Sequence, residues 1–436
     1  MILTGLWITL YKLFTRLFGF VVTPYLWWRR ARGKESSSRL RERKGYPGVA
    51  RPTGALVWLH GASVGEALSL MPLIAQLQSA GFQILLTTGT VTSADLAQKR
   101  LPPGAIHQFM PLDVPKYVKR FLTHWQPDMV IFAESEIWPN FIFNIHRRNI
   151  PLILVNARLS QRSFVRWQKI PGLIGRILSQ IDMVLAQTAE DAARLMQLGA
   201  ARVLVTGNLK FDAPAPPVAQ DALAQLTGLI GVRPVWVAAS THQGEEEILL
   251  EVHKTLSKRF ANLLTIIVPR HAERGSALQS LAEAQGVRSA MRSFGAQPTP
   301  ETAVYFADTM GELGLFYRLA GVVFMGGSLI PHGGQNPIEP AKLGSAILYG
   351  PHVHNFTEVY ALLQQPHGPQ KTPGALQVHD GHSLAEALTG LFTDAAKFRA
   401  MARAAHEAVD ERTGATRNVM RAIEPYIVQL HMGARR

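Results

Sequence analysis

From residue 55 onward, short apolar runs alternate with helix-length segments. Brief apolar runs bounded by turn-forming residues suit strands buried on both faces of a parallel sheet. They fall at residues 55–60, 83–88, 128–133, 152–156, 183–187 and 203–206, and resume at 235–239, 263–268, 303–306, 322–325 and 346–349. Between the two series lies FDAPAPPVAQD, residues 211–221, whose prolines read as a linker. The pattern predicts an α/β protein with two doubly wound, Rossmann-like domains facing a cleft, over residues 53–210 and 233–415. A linker over 211–232 joins them and a terminal helix over 416–436 follows. In open α/β sheets ligands bind beyond the carboxyl ends of the strands, so the loops after strands are where chemistry is expected.

The first thirty residues follow a different pattern. Residues 2–28 are mostly apolar and contain no acid, with Trp7 near one end and Trp27 and Trp28 at the other. Tryptophans at both ends suit the two edges of a bilayer. The basic runs RRARGK and RLRERK come next, which is the wrong order for a cleaved signal peptide. Thirteen Leu, Ile, Phe and Val residues favour insertion by about 4–8 kcal/mol, and Lys12 with Arg16 oppose it by about 5–7 kcal/mol. The sum leaves open whether the segment spans the bilayer or lies in its interface. Gly5, Thr9, Lys12, Arg16, Gly19 and Thr23 form one narrow small or polar stripe on a helix, suiting an interfacial helix or one packed on its own protein. Residues 1–30 are therefore expected to be a membrane-anchoring helix and 31–52 a basic juxtamembrane segment; if the helix spans, the basic flank places the body on the cytoplasmic side.

Composition narrows the classes. At 436 residues the chain exceeds what one hydrophobic core supports. Hydrophobic residues at 47% and charged ones at 17% exclude a disordered chain, and the absence of cysteine excludes disulfides and thiolate chemistry. The net charge of +14 first suggests nucleic acid. But residues 1–52 alone hold 11 Lys/Arg against 2 Asp/Glu, and the remaining chain is nearly balanced. The excess sits beside the apolar segment, so anionic lipid is the expected partner, not nucleic acid. No RNP, KH or zinc-finger pattern is present.

Three strand-following segments of the first half carry candidate chemistry. In HGASVGEA, residues 60–67, Gly65 permits close approach of a substrate to the backbone, and Glu66 falls in the first turn of a helix as a candidate general base. Ser63-x-x-Glu66 is equally a capping box. The helix terminus also lowers a carboxylate's pKa where a base needs it raised, so burial or a neighbouring acid must compensate. In FAESEIWPN, residues 132–140, Glu134 and Glu136 share a face of extended chain; they suit either a paired-acid site or a helix-start loop anchored by Trp138. In GNLKFD, residues 207–212, Lys210 suits an anion-holding cation at a cleft floor or a solvated linker lysine. Arg158, in NARLS, carries the same two readings.

The second half adds nucleotide-like features. Arg270, in IIVPRHAER, is placed to meet phosphate. DTMGELG supplies Met310, Gly311 and Glu312 as a weak base-pocket signal. FMGGSLIPHGGQNPIEPAKLG, residues 324–344, has two Gly-Gly pairs after a strand, among them Gly333 and Gly334. Its backbone N–H groups suit a phosphate cradle, and Glu339 suits ribose hydroxyls. Walker A and GxGxxG motifs are absent, and His352 with His354 do not specify a metal. Another nucleotide-sugar transferase or epimerase using a UDP-sugar stays open on these residues alone.

Taken together, HGASVGE, ESEIWPN, NARLS, GNLKFD, PRHAER, DTMGELG and GGQNPIEP, in this order, resemble the bacterial 3-deoxy-D-manno-oct-2-ulosonic acid (Kdo) transferases of lipid A assembly. His60, Gly61 and Ala62 stand where other members carry other residues, while Ser63, Gly65 and Glu66 match. The resemblance implies a GT-B glycosyltransferase fold, CMP-Kdo as donor, a lipid A precursor (lipid IVA) as acceptor, and inverting transfer with no metal and no further cofactor. It implies Glu66 as proton acceptor and Glu134 and Lys210 as transition-state stabilisers. Contacts to CMP are implied at Pro269, Arg270, Met310, Gly311, Glu312, Asn336, Pro337, Ile338 and Glu339.

Overall fold

The computed structural model describes residues 2–368 and 370–433. The chain forms two compact units, one from residues 1–213 with 412–436 and one from residues 214–411.

The first unit holds a seven-stranded sheet of β1 (Leu56–His60), β2 (Gln83–Thr88), β3 (Ile106–Phe109), β4 (Met129–Ala133), β5 (Leu152–Ala157), β6 (Met183–Ala186) and β7 (Val203–Val205). The order is β3-β2-β1-β4-β5-β6-β7, every pairing parallel. Each central strand feeds two cores, because successive side chains of a strand point to opposite faces. In β1, Leu56 and Trp58 join one core with Phe121, Trp125, Phe132 and Phe141. Val57 and Leu59 join the other with Leu70, Leu73 and Ile131.

The terminal helix, Ala415–Gly433, belongs to this first unit and not to a segment of its own. Its Val419 and Ile423, four apart on one face, are buried in the second core. Asp212, beside the exit to the other unit, accepts from the N–H groups of Gly414 (2.7 Å) and Thr416 where the chain returns.

The N-terminal helix, Ile2–Ala31, lies against the same unit. The inward face carries polar groups: the Tyr11 hydroxyl donates to Asp113 (2.8 Å), Thr15 accepts from Asn140 (3.0 Å), and Thr23 accepts from Lys44 (2.8 Å). Val22 and Leu26 pack beside Val114 and Tyr117. The outward face presents Trp7, Leu10, Leu13, Phe14, Leu17, Phe20, Trp27 and Trp28, all exposed. Among the described residues no helix is long and apolar enough to cross a membrane. Part of the basic segment serves the fold. Arg43, buried, donates to Glu35 (2.9 Å), Met110 O (3.1 Å) and Gly89 O (2.5 Å).

In the second unit the strands are β8 (Val235–Thr241), β9 (Leu264–Pro269), β10 (Ser289–Met291), β11 (Val304–Phe306), β12 (Val322–Met325), β13 (Ala346–Tyr349), a β14–β15 hairpin (Pro366–His367, Thr372–Pro373) and β16 (Ala375–Gln377). The main sheet is again parallel, ordered β10-β11-β9-β8-β12-β13-β16. Trp236, Ala238, Phe306, Phe324 and Leu348 fill its core. Residues 211–232, expected as linker, contain the helix Gln220–Ile230, whose Leu226 and Ile230 are buried. That amphipathic pair decides against a solvated linker. Strands β3, β10 and β16 lie outside the expected runs, and all three are sheet edges.

Candidate functional site

In both sheets the strand order reverses next to the first strand, between β1 and β4 and between β8 and β12. At such a switch point two neighbouring strands send their loops apart and leave a crevice for ligand. HGASVGE follows β1, ESEIWPN follows β4 and GGQNPIEP follows β12, while the other four motifs follow β5, β7, β9 and β11.

In the first unit, HGAS leaves β1 and enters the helix Val64–Ser79. Ser63 caps the helix, accepting from the N–H of Glu66 at 3.3 Å. Glu66 returns the contact, with one carboxylate oxygen accepting from Ala62 N–H (2.9 Å) and the other from the Ser63 hydroxyl (2.7 Å). Ser63 supplies its half of a capping box, but Glu66 reaches Ala62 N–H and the Ser63 hydroxyl instead of the Ser63 N–H, and it still holds a raised pKa. Burial raises it most, the charges of Glu134 and Glu136 raise it further, and the bonds from Ser63 and Ala62 only partly offset them. The compensation that the helix terminus demands is thus supplied by both routes, desolvation and neighbouring acids.

Glu134 leaves β4, the strand beside β1, and is placed by an unusual backbone. Its φ of 58° lies in the left-handed region, which costs a non-glycine residue about 1–3 kcal/mol and persists where surroundings over-determine it. Its side chain pairs with Lys210, Nζ to Oε1 at 2.6 Å. Lys210 sits in a short 3-10 turn, Leu209–Phe211, held from two sides. Asn208 Oδ1 accepts from Lys210 N–H (3.0 Å), and Asn156 Oδ1 accepts from Leu209 N–H (2.9 Å). Glu136 accepts from the indole N–H of Trp138 (2.5 Å) and lies 3.3 Å from His60 Nε2. Burial pushes the Glu136 carboxyl up, but the bonds to His60 and Trp138 outweigh it, and the net shift is downward. Arg158 holds the loop through its carbonyl, which accepts from Ser135 Oγ at 2.5 Å.

The tertiary structure adds His60, beside Glu136, and Asn156, beside the Lys210 turn, to this group. The available signal was a polar side chain at the end of an otherwise apolar buried strand: His60 closes β1 and is 1% exposed, and Asn156 stands in β5 and is fully buried.

In the second unit, Pro269 ends β9 and Arg270 follows, exposed, its N–H donating to Thr241 O at 2.9 Å. Glu312, after β11, is clamped by Arg292, which donates from Nε (2.6 Å) and Nη2 (2.5 Å), and by the Thr309 hydroxyl. Those bonds hold the Glu312 carboxyl below its ordinary value. Met310 is exposed beside Gly311, whose φ is 87°. After β12, Asn336 Oδ1 accepts from Ile338 N–H (3.1 Å), while Pro337 and Ile338 are buried and Glu339 half-buried at the start of the helix Ile338–Lys342.

Part of this loop turns its N–H groups inward. The N–H groups of Gly327, Ser328 and Leu329 donate to the buried carboxylate of Glu245 at 2.6–3.0 Å, and Gly334 N–H donates to Gly327 O at 2.7 Å. Gly333 is packed so closely that a Cβ would stand 2.4 Å from Asn355 Nδ2. The N–H groups of Gly327, Ser328 and Leu329 thus build the loop, because a fully buried carboxylate demands the donors it can reach. Gly326 permits the tight passage: a Cβ there would stand 2.6 Å from Ser240 O. Among the described residues no three His, Asp or Glu side chains gather in a metal-holding group.

Comparisons with known proteins agree with the motif pattern. Residues 38–213 match the family described as 3-deoxy-D-manno-octulosonic-acid transferase (kdotransferase). The chain is 35% identical to the 3-deoxy-D-manno-octulosonic acid transferase of Haemophilus influenzae over 89% of its own length and 91% of that protein. It is 33% identical to the same-named protein of Bordetella pertussis over 93% and 97%. In fold it is similar to UDP-GlcNAc 2-epimerase from Neisseria meningitidis, at 14% identity, covering 85% of this chain and 100% of that one with a TM-score of 0.55. The chain therefore belongs to the 3-deoxy-D-manno-octulosonic acid transferases, a family of glycosyltransferases.

Proposed function

We propose that this transferase moves Kdo from CMP-Kdo to lipid IVA with inversion at the anomeric carbon, without a metal, at the cytoplasmic face of the inner membrane. The observation that carries the reading is Glu66: a carboxylate at the β1/β4 switch point, oriented by Ser63 and Ala62 and held at a raised pKa. A general base works best when its pKa approaches the working pH. Glu66 takes the proton from a sugar hydroxyl of the acceptor as that oxygen attacks the anomeric carbon. The bond from that carbon to the phosphate breaks, and CMP leaves with the electron pair. Lys210 and Glu134 steady the charge around the reacting centre, and Arg270 faces the phosphate. A single displacement of this kind inverts configuration. The N-terminal helix supports the membrane location, since its polar groups turn inward and its tryptophans and phenylalanines turn out.

Purified protein is incubated with CMP-Kdo and lipid IVA, with and without EDTA, and the product is read by mass and by anomeric NMR. The expected result is Kdo-extended lipid IVA of inverted configuration, formed equally with EDTA. No extension, retained configuration, or loss of turnover on chelation each overturns the corresponding part.

A further inference from the structure

A group of imidazoles lies at the second switch point, outside the residues assigned above. His242 follows β8, and His332 lies in the loop after β12, the strand hydrogen-bonded to β8. Their rings are 3.7 Å apart between centroids, at 31°. His271, next to Arg270 after β9, stands 5.9 Å from His242. The approach depends on Gly327, φ 67°: a Cβ there would lie 3.1 Å from His242 Cδ2 and 3.4 Å from His332 Cδ2. Gln335 Nε2 lies 3.1 Å from His242 Nε2.

We propose that the His242–His332 pair seats the donor's phosphate, with one proton held on the pair while the phosphate is bound. This inference rests on the reading of the second unit as the CMP-Kdo carrier. Two stacked imidazoles do not readily carry two positive charges, because a charge on either ring opposes one on the other. Burial, the neighbouring His332 and His271, and the cations Arg270 and Arg274 push the His242 imidazole down to about 4. Surrounding acids do little to offset this. Glu245 spends its carboxylate on four backbone N–H groups, Glu246 binds Arg274 and Thr241, and Glu273 faces His271 at 3.7 Å. His354 stands beyond Gly333, whose Cβ would meet its Nε2 at 2.7 Å. An arriving phosphate reverses the balance, because an anion favours the charged imidazole.

The pair then gains strength during transfer. The phosphodiester of the donor carries one negative charge. When its bond to the anomeric carbon breaks, the electron pair stays on the phosphate oxygen and CMP becomes a dianion. The acceptor's proton goes to Glu66, and the imidazolium keeps its own as a hydrogen-bond donor. A donor that faces growing charge stabilises the transition state more than the ground state.

The test is calorimetric titration of the full chain with CMP near neutral pH, in buffers of different ionisation enthalpy, for wild type, His332→Gln and His242→Gln. Because His332 is exposed, its substitution leaves the fold intact, checked by an unchanged melting temperature. Wild type is expected to take up protons on binding CMP. H332Q is expected to lose that uptake and bind CMP about tenfold more weakly or worse, the effect of losing a charge-assisted hydrogen bond. Wild-type CMP binding with unchanged uptake and affinity in both variants overturns the phosphate seat alone. Wild-type protein that does not bind CMP overturns the donor reading and the seat together.

Discussion

Lys210 holds Glu134 by a 2.6 Å ion pair, and Glu134 is one of the two carboxylates whose charge raises the pKa of Glu66. The lysine thus bears on Glu66, the proposed base, through Glu134. Removing the cation leaves the Glu134 charge unbalanced, and an unbalanced anion makes Glu66 harder to ionise. Lys210→Met is expected to move the acidic limb of the kcat/KM profile to higher pH. A limb that stays in place, or moves down, shows that the pair does not act on Glu66.

Glu66 must be ionised to accept a proton, and its folded pKa lies above the ordinary 4.5. Activity should therefore fall as pH drops through that raised value, not through 4.5. Glu66→Gln keeps an acceptor for Ala62 N–H but loses the base. Transfer is expected to fall by about 10²–10⁴-fold, the usual contribution of a positioned base. CMP binding, measured by titration, should survive; turnover near the wild-type rate excludes Glu66 as the base.

Arg292 grips Glu312 with two nitrogens at 2.6 and 2.5 Å. A lysine keeps the charge but not the fork. Arg292→Lys should loosen the 308–312 loop and weaken CMP binding by about tenfold, the cost of one charged hydrogen bond. Unchanged CMP affinity would place Glu312 outside the nucleotide site.

Asp113 ties the N-terminal helix to the helix Pro139–His146. It accepts from the Tyr11 hydroxyl (2.8 Å) and from the N–H groups of Asn140 (3.0 Å) and Phe141 (3.1 Å). Burial pushes its pKa from 3.8 up to about 6, against those hydrogen bonds. The fold thus favours the protonated acid. The stability this group contributes is fully present below pH 3.8 and is lost as pH rises through about 6. Asp113→Asn should abolish that slope in chemical denaturation. It should also lower stability by about 1–3 kcal/mol, since an amide NH2 would face N–H donors. An unchanged slope shows that another group titrates.

The exposed tryptophans of the N-terminal helix, Trp7 at 50%, Trp27 at 64% and Trp28 at 51%, offer a direct measure of membrane contact. Wild type should float with vesicles containing anionic phospholipid, and replacement of all three by serine should release it. Retention of the triple variant on vesicles would move the contact elsewhere.

The apolar runs of the central strands were enough to place two parallel sheets, because a strand covered on both faces has no polar positions to break its run. Three of the four edge strands of the two main sheets escaped, β7 being the exception: β3, β10 and β16 are short, and two of them are no more than half-buried at most positions, so tertiary pairing decides them. The chain order of the motifs already carried the family, and turn chemistry already placed Ser63 and Glu66 at a helix start. Sequence spacing did not bring Lys210 to Glu134, which are 76 residues apart, nor His60 to Glu136; parallel strands join residues through crossovers of variable length. It also did not show that the N–H groups of Gly327, Ser328 and Leu329 belong to Glu245, 82 residues before Gly327. A buried charge takes whichever donors the fold delivers, and only the packed chain determines which those are.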